Sequence, residues 1–415
     1  MPDIVDIVVP VFRGERETRA CLESVLASKV ATAHEVVVID DASPEPAISA
    51  WLRGLAGAGR ITLISHGSNR GFVASVNEGM ALHPQRDVVL LNSDTEVAAG
   101  WLDRLVAHGE GDPAIATATP FSNNATLCSY PRTLVPNELP EGESVAEIDA
   151  AFAAANAGRH VDIPTAVGFC MHITRRAIER IGAFDEARYG AGYGEEVDFC
   201  MRAGRAGMRN VIAGDVFVRH VGEVSFGAGG SERRARAQAI VDELYPEFQV
   251  RLRELLADDP VLPLRRRADL ERLRRAPRPR LLLASPREVL EAGPRCEPLL
   301  LEPEGARHLR LRWARPGEEL GLWFSHDQWD SLVRVLDCIG LGGSSRAGPL
   351  PELEGDNLRQ PDEAQPAPGG DAAAAQAQAR AAELERELAR LRASHSWRIT
   401  APLRWGARRV RGLLS

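Results

Sequence analysis

Lysine is almost missing from this chain. Lys29 stands alone among 50 basic residues, and arginine supplies the rest, which reads as coding bias before chemistry. Charge of one sign is not in large excess either. The 50 basic and 58 acidic residues leave a net charge of −8, which argues against a general nucleic-acid binder. No run of 18 apolar residues occurs, so no transmembrane helix is expected. The first residues are acidic and lack a basic stretch, so no signal peptide is expected. Cys21, Cys128, Cys170, Cys200, Cys296 and Cys338 lie far apart with no CxxC pair. That spacing excludes a zinc knuckle and a disulfide framework and suits reduced, buried thiols of a cytoplasmic protein. There is no internal repeat. The 415 residues suffice for two to three domains.

Over the first 120 residues, short apolar runs alternate with amphipathic stretches. Strands are expected at 4–11, 36–39, 61–64 and 88–91, with helices at 15–28, 46–55 and 72–82 and another starting at 101. Unalternated apolar strands between amphipathic helices predict an α/β fold: a Rossmann-like, mostly parallel sheet with helices on both faces. Residues 120–166 are irregular apart from a helical stretch at 145–156. Further elements are expected as a strand at 167–173, helices at 175–181 and 195–206, a strand at 216–220 and a charged helix at 231–256. The first domain is placed at 1–260, followed by a linker at 261–279 that contains Pro277-Arg278-Pro279. A small α/β module is expected at 280–340 and a disordered linker at 341–371. Residues 372–393 read as a helix and candidate coiled coil, a route to a homodimer, with Leu384, Leu388 and Leu391 spaced four and three apart. The tail 394–415 is basic and amphipathic. It suits either an anionic lipid surface or docking on protein.

Polar clusters follow the strands. They are Pro10-Val11-Phe12-Arg13-Gly14-Glu15, Asp40-Asp41-Ala42-Ser43, Asn69-Arg70-Gly71-Phe72 with Asn77, and Asn92-Ser93-Asp94. Each alone is explained by turn and cap chemistry. Together, at the carboxyl ends of parallel strands, they mark the edge where this architecture binds ligands. Asp94 suits a hard divalent cation held against phosphates; Asp40-Asp41 suits hydrogen bonds to a base or ribose.

A glycine-rich approach, Gly190-Ala191-Gly192-Tyr193-Gly194, leads into Glu195-Glu196-Val197-Asp198. Acids in a first helical turn complement the helix dipole, and Asp198 can pair with Arg202 four residues on. Three acids behind a glycine-rich approach also suit proton abstraction from a hydroxyl. His220 closes a strand and gains meaning only if it faces Asp94. The other nine histidines receive no role.

These segments together resemble the family 2 glycosyltransferases of the GT-A fold. The likeness is carried by Val9-Pro10-Val11-Phe12, Val38-Ile39-Asp40-Asp41-Ala42-Ser43, Asn69-Arg70-Gly71-Phe72, Leu91-Asn92-Ser93-Asp94, Gly168-Phe169-Cys170, Gly182-Ala183-Phe184-Asp185-Glu186, Glu195-Glu196-Val197-Asp198 and His220, over about 3–250. It is closest in pattern to rhamnosyltransferase-like enzymes of bacterial surface polysaccharides. The resemblance implies a nucleotide-sugar site at Pro10, Phe12, Glu15, Asp41, Arg70, Gly71, Asn77, Asn92, Ser93 and Gly168. It implies Mg2+ or Mn2+ at Asp94 and His220, although Asn92 stands where the family's metal motif begins with an acid. It implies catalysis at Glu196, the base, with Glu195 and Asp198; Glu196 stands where the family has Asp. The implied reaction is an inverting, hexosyl-type transfer from a nucleotide-diphosphate sugar to a glycan or lipid-linked hydroxyl. The enzyme is expected in the cytoplasm or peripherally on the inner face of the membrane.

Two other enzyme classes fit the sequence less well. A nucleotidyltransferase would want a glycine-rich basic loop after the first strand, and Phe12-Arg13-Gly14-Glu15 is not one. A dehydrogenase would want GxGxxG after a strand, and none is present. The non-enzyme alternative is a pseudo-transferase acting as a scaffold through its C-terminal helix.

Overall fold

A computed structural model describes residues 4–140, 142–190, 192–222, 230–283, 285–292, 296–304, 308–341, 349–353 and 355–360. The chain divides into two compact units, Met1–Val261 and Leu262–Ser415. Among the described residues, no helix is long and apolar enough to cross a membrane. The expected helix 372–393 and basic tail 394–415 lie outside the described residues.

The first unit opens with β1 (Val5–Val11), α1 (Glu15–Ala27), β2 (His34–Asp40), α2 (Pro46–Gly57), β3 (Thr62–Ser65), α3 (Phe72–Leu82) and β4 (Val88–Leu91). It continues through β5 (Thr95–Glu96), α4 (Trp101–Gly111), β6 (Ile115–Phe121), α5 (Val145–Asn156), β7 (His160–Asp162) and β8 (Cys170–Ile173). It ends with α6 (Arg175–Ile181), α7 (Glu186–Tyr189), α8 (Glu195–Arg205), β9 (Arg209–Phe217), β10 (Arg219–His220), α9 (Gly230–Leu244) and α10 (Phe248–Asp258).

Eight strands form one sheet in the order β3-β2-β1-β4-β8-β6-β9-β7. The pairs β1–β2, β2–β3, β1–β4 and β6–β9 are parallel. β1 shows why. Val5, Ile7, Val8, Val9 and Val11 are all at most 2% exposed, so both faces must be covered, and the helical crossovers of a parallel sheet cover them. Each such side chain contributes about 1.5–3 kcal/mol by leaving water. Asp6 within this strand is fully buried, and it is paired to His83 and Arg86 at 2.9 and 2.8 Å. α3 comes so close to β1 that a Cβ on Gly79 would stand 2.5 Å from Val8 Cγ1.

β8 runs antiparallel between β4 and β6, pairing Leu91 with Cys170. That reversal sets Phe169, just before β8, beside the carboxyl end of β4. A separate two-stranded ribbon pairs β5 with β10, Thr95 opposite His220.

The structure departs from the sequence reading in several places. The expected strand 167–173 begins only at Cys170, and the 216–220 strand is two elements, β9 and β10. The helix expected over 231–256 breaks between Leu244 and Phe248, where Pro246 cannot continue the hydrogen-bond ladder. β6 was not anticipated. Its sequence, Ile-Ala-Thr-Ala-Thr-Pro-Phe, has weak apolar contrast, yet every residue is buried.

In the second unit, α11 (Leu262–Arg275) occupies the stretch expected as a linker. Its arginines hid a helix held by pairs such as Arg275–Glu271, with Leu264, Leu270 and Leu273 buried. β11 (Arg280–Leu283), α12 (Pro286–Ala292), β12 (Glu297–Glu304), β13 (His308–Trp313), β14 (Gly321–Ser325), α13 (Trp329–Cys338) and α14 (Gly355–Leu358) follow. The strands form a four-stranded sheet in sequence order. Arg272 grips Glu318 at 2.8 and 2.9 Å, with both side chains at most 2% exposed. Part of the 341–371 stretch expected as disordered is ordered. Leu358 joins the core, and Asn357 Nδ2 donates to the Trp323 carbonyl at 2.8 Å.

Candidate active site

The carboxyl ends of β1, β2 and β4 meet the connection between β3 and α3. Pro10, Phe12, Asp41, Asn69, Gly71, Phe72, Asn92 and Ser93 line an open cleft there. Parallel pairing puts these strand ends on one edge, so residues about 80 positions apart share one wall.

Asp41 is 4% exposed and its carboxylate is well supplied. Oδ1 accepts from the Arg70 backbone N–H and His66 Nδ1–H, both at 2.7 Å, and Oδ2 accepts from Gly71 N–H at 2.9 Å. His66 Nε2 lies 2.8 Å from Glu78 Oε2. Each ring nitrogen faces a carboxylate, so both donate and the ring is an imidazolium. Burial alone would lower the His66 pKa, but the hydrogen bonds and charges of Asp41 and Glu78 outweigh it and raise it. His66 had no sequence signal, because its two partners come from separate elements.

Asp94 follows at the end of β4, and the β5–β10 ribbon brings His220 to it. His220 Nε2 stands 3.3 Å from Asp94 Oδ1. His220 Nδ1 donates to the Asn124 carbonyl at 2.6 Å, and the His220 backbone N–H donates to Asn123 Oδ1 at 2.9 Å. Burial would lower the His220 pKa, but the Asp94 contact wins and raises it. With Nδ1 anchored on Asn124, loss of the Nε2 proton would turn a lone pair toward a cation at Asp94. Gly222 N–H donates to Asp94 Oδ2 at 2.9 Å. Burial would raise the Asp94 pKa, but the His220 and Gly222 contacts win and lower it. The carboxylate and a deprotonated Nε2 would together suit a cation in this buried pocket. The carboxylate matches Mg2+ or Mn2+.

A further cluster, Asp6, Glu35 and His83, lies at the opposite edge of the sheet. Arg86 Nη1 already sits 2.8 Å from Asp6 and 2.7 Å from Glu35, so a guanidinium supplies the positive charge there.

α8 is preceded by Gly194 at its N-cap, held at φ 89°. A Cβ there would stand 3.0 Å from the Tyr189 ring. Glu195 and Glu196 each keep a buried Oε2 with no hydrogen-bond partner among the described residues. Burial raises both carboxyl pKa values, and the neighbouring Glu196 charge raises Glu195 further. Gly168 faces the Cβ of Glu196. The adjacent Phe169 accepts Asn92 N–H on its carbonyl at 2.8 Å and stacks its ring on His220. The turn 168–169 therefore joins Glu196 to the Asp94–His220 pair.

Four residues expected at the site are held elsewhere. Asp198 accepts from Tyr245 Oη–H at 2.6 Å and Arg202 Nε–H at 2.8 Å, so it fixes α8 rather than reacting. Asn77 exchanges both hydrogen bonds with the Phe184 backbone, at 2.9 and 3.1 Å. The Arg70 side chain turns to Glu78 at 2.7 Å, leaving its backbone N–H to Asp41. Glu15 pairs with Arg19 at 2.8 Å on the exposed face of α1. One residue outside the expected set enters the cleft: Arg233 of α9.

Residues 6–182 match the family described as Glycosyl transferase family 2. The matched stretch includes Asp41, Asn92 and Asp94 and ends before Glu195, Glu196 and His220. Over 216 residues the chain is 29% identical to the pre-mycofactocin glycosyltransferases of two Mycobacterium tuberculosis strains, CDC 1551 / Oshkosh and ATCC 25618 / H37Rv. That alignment covers 49% of this chain and 40% of theirs. It is also 23% identical over 255 residues to the uncharacterized protein y4gI of Sinorhizobium fredii, covering 58% of this chain and 27% of that one. The chain thus spans well under half the length of these relatives. A crystal structure of GalNAc-T7 with UDP, GalNAc and Mn2+ aligns with a TM-score of 0.44 at 18% identity, over 63% of this chain and 52% of that one. The stretch 6–182 that matches the family contains the strand ends that build the cleft.

Proposed function

We propose that the protein transfers a glycosyl group from a nucleotide-diphosphate sugar to an acceptor hydroxyl, with inversion at the anomeric carbon. The observation that carries this reading is the meeting, on one sheet edge, of three groups. They are the Asp41-lined cleft, the Asp94–His220 pair next to its Ser93, and Glu196, which the turn 168–169 connects to that pair and whose buried Oε2 has no hydrogen-bond partner among the described residues.

Asp41 receives the nucleobase. Three of the four lone-pair positions on its carboxylate are taken by His66, Arg70 and Gly71. The remaining one accepts a single ring N–H, as uracil and thymine offer, rather than the paired donors of guanine. Asp94 and His220 hold Mg2+ or Mn2+, which when bound would neutralise charge on the departing diphosphate. Glu196 takes the proton of the acceptor hydroxyl. That oxygen attacks the anomeric carbon as the bond to the nucleoside diphosphate breaks. Burial of Glu196 raises its basicity, and that suits the task. No protein nucleophile is needed, because the displacement is single. Asp198 and Tyr245 keep α8 in place while Glu196 works.

The acceptor is a growing glycan or a lipid-linked sugar of the bacterial cell surface. The name of the mycobacterial relatives favours a second acceptor, pre-mycofactocin. Release of nucleoside diphosphate from UDP-, dTDP- and GDP-sugars, with each acceptor class and with Mn2+ or EDTA, tests the reading. Turnover of a UDP- or dTDP-sugar with one acceptor is expected. No release from any donor, together with no nucleotide-induced rise in melting temperature, favours a scaffold instead.

A further inference from the structure

Arg233 is the charged residue of the cleft that the nucleobase, metal and base assignments leave unused. It lines the cleft together with Asn92 and Ser93, and it is the cation among the described residues that line it. Its Nε is buried and has no hydrogen-bond partner among the described residues. An arginine at a cleft wall normally reaches a carboxylate. Asp94, the nearest acid in sequence to Asn92 and Ser93, is already matched by His220 and Gly222. A buried Nε–H with no acceptor among the described residues is free to be met by an anionic ligand.

The helix that bears it is firmly placed. Arg234, the next residue, lies over the Tyr193 ring at 4.9 Å. Ala237, one turn on, is the neighbour that a Cβ on Gly194 would meet at 3.3 Å. Tyr245, just beyond the end of α9, donates to Asp198 of α8. Arg233 is therefore carried to the cleft by the packing that fixes Glu195 and Glu196.

Charge completes the argument. The Asn92-Ser93-Asp94 segment presents one carboxylate, so the walls near the phosphates are only weakly anionic. A guanidinium added there makes them attractive to a diphosphate, whose paired oxygens match its fork. The diphosphate gains negative charge as the glycosyl bond breaks, so the contact strengthens in the transition state.

We infer that Arg233 binds the diphosphate of the sugar donor and stabilises it as the leaving group. The inference rests on the cleft being a nucleotide-sugar site, and the experiment separates the two. Equilibrium binding of UDP, dTDP and GDP, and of UMP, dTMP and GMP, is measured with Mn2+ and with EDTA. The proteins are the full-length wild type, Arg233→Gln and Arg233→Lys. In Arg233→Gln, affinity for the diphosphate that the wild type binds should fall about 10- to 100-fold. Its advantage over the matching monophosphate should shrink, with the melting temperature unchanged. Arg233→Lys, which keeps the charge but not the fork, should recover part of the loss. Equal diphosphate affinity in wild type and Arg233→Gln overturns the inference while leaving the nucleotide site standing. If the wild type binds no nucleotide, the proposed function fails and this inference with it.

Discussion

The ring of Phe169 lies on that of His220, with centroids 5.2 Å apart and planes inclined by 27°. The Phe169 carbonyl meanwhile accepts the Asn92 N–H at 2.8 Å. One residue of a turn thus braces both the imidazole that faces Asp94 and the backbone leading into Asp94. Phe169→Leu keeps the volume roughly but loses the flat face, at a stability cost of about 1.5 kcal/mol or less. Mn2+ affinity should fall about tenfold or more, as when the support of a ligating histidine is lost. Asp94→Ala should remove Mn2+ binding outright. Titration calorimetry with Mn2+ reads both, and unchanged affinity in Asp94→Ala would take that residue out of the metal site.

Glu196→Gln should leave nucleotide affinity alone and lower turnover by about 10²–10⁴-fold, the usual share of a general base. The base must be ionised to act, and its pKa is raised. Turnover in the wild type should therefore decline on the acid side at a pH above the ordinary glutamate value of 4.5. A pH profile of kcat checks this. If Glu195→Gln loses turnover and Glu196→Gln does not, the base is the other glutamate.

Asn77→Ala breaks both hydrogen bonds to the Phe184 backbone. It should cost about 1–3 kcal/mol in urea unfolding. Nucleotide affinity of the folded protein should hold within about threefold, an order-of-magnitude expectation for a residue outside the cleft. A large loss of nucleotide affinity at unchanged stability would return Asn77 to the binding site.

His66 sits as a cation between Asp41 and Glu78. Its pKa is raised on folding, so its contribution is complete below the ordinary value of 6.5 and is lost as pH rises through the folded-state value. The gap in melting temperature between wild type and His66→Asn should be widest near pH 6 and should close on going alkaline. A gap that stays constant with pH contradicts the imidazolium assignment.

How much was readable beforehand follows from what each residue answers to. Pro10, Phe12, Asp41, Gly71, Asn92 and Ser93 end or follow continuous apolar strands, and parallel pairing carries such ends to one edge. Asn77 and Asp198 sit within equally suggestive segments, but their partners, Phe184 and Tyr245, lie 107 and 47 residues away, and no spacing announces them. The pairing of Asp198 with Arg202 was visible as a four-residue step on one helix. Arg233 and His66 went unseen because each is a lone polar residue whose meaning comes from tertiary packing. Pro277-Arg278-Pro279 does mark a boundary, but it lies just past α11, whose helix shows only through the Glu271–Arg275 step and the buried Leu264, Leu270 and Leu273.

The central claim is that Asp94 and His220 hold a metal ion beside the cleft that Asp41 and Asn92 line. Anomalous diffraction at the manganese edge, from crystals grown with Mn2+ and UDP, tests it most directly. The account requires a manganese peak in contact with Asp94 and His220. Absence of that peak, or one at Asp6, Glu35 and His83 instead, contradicts it.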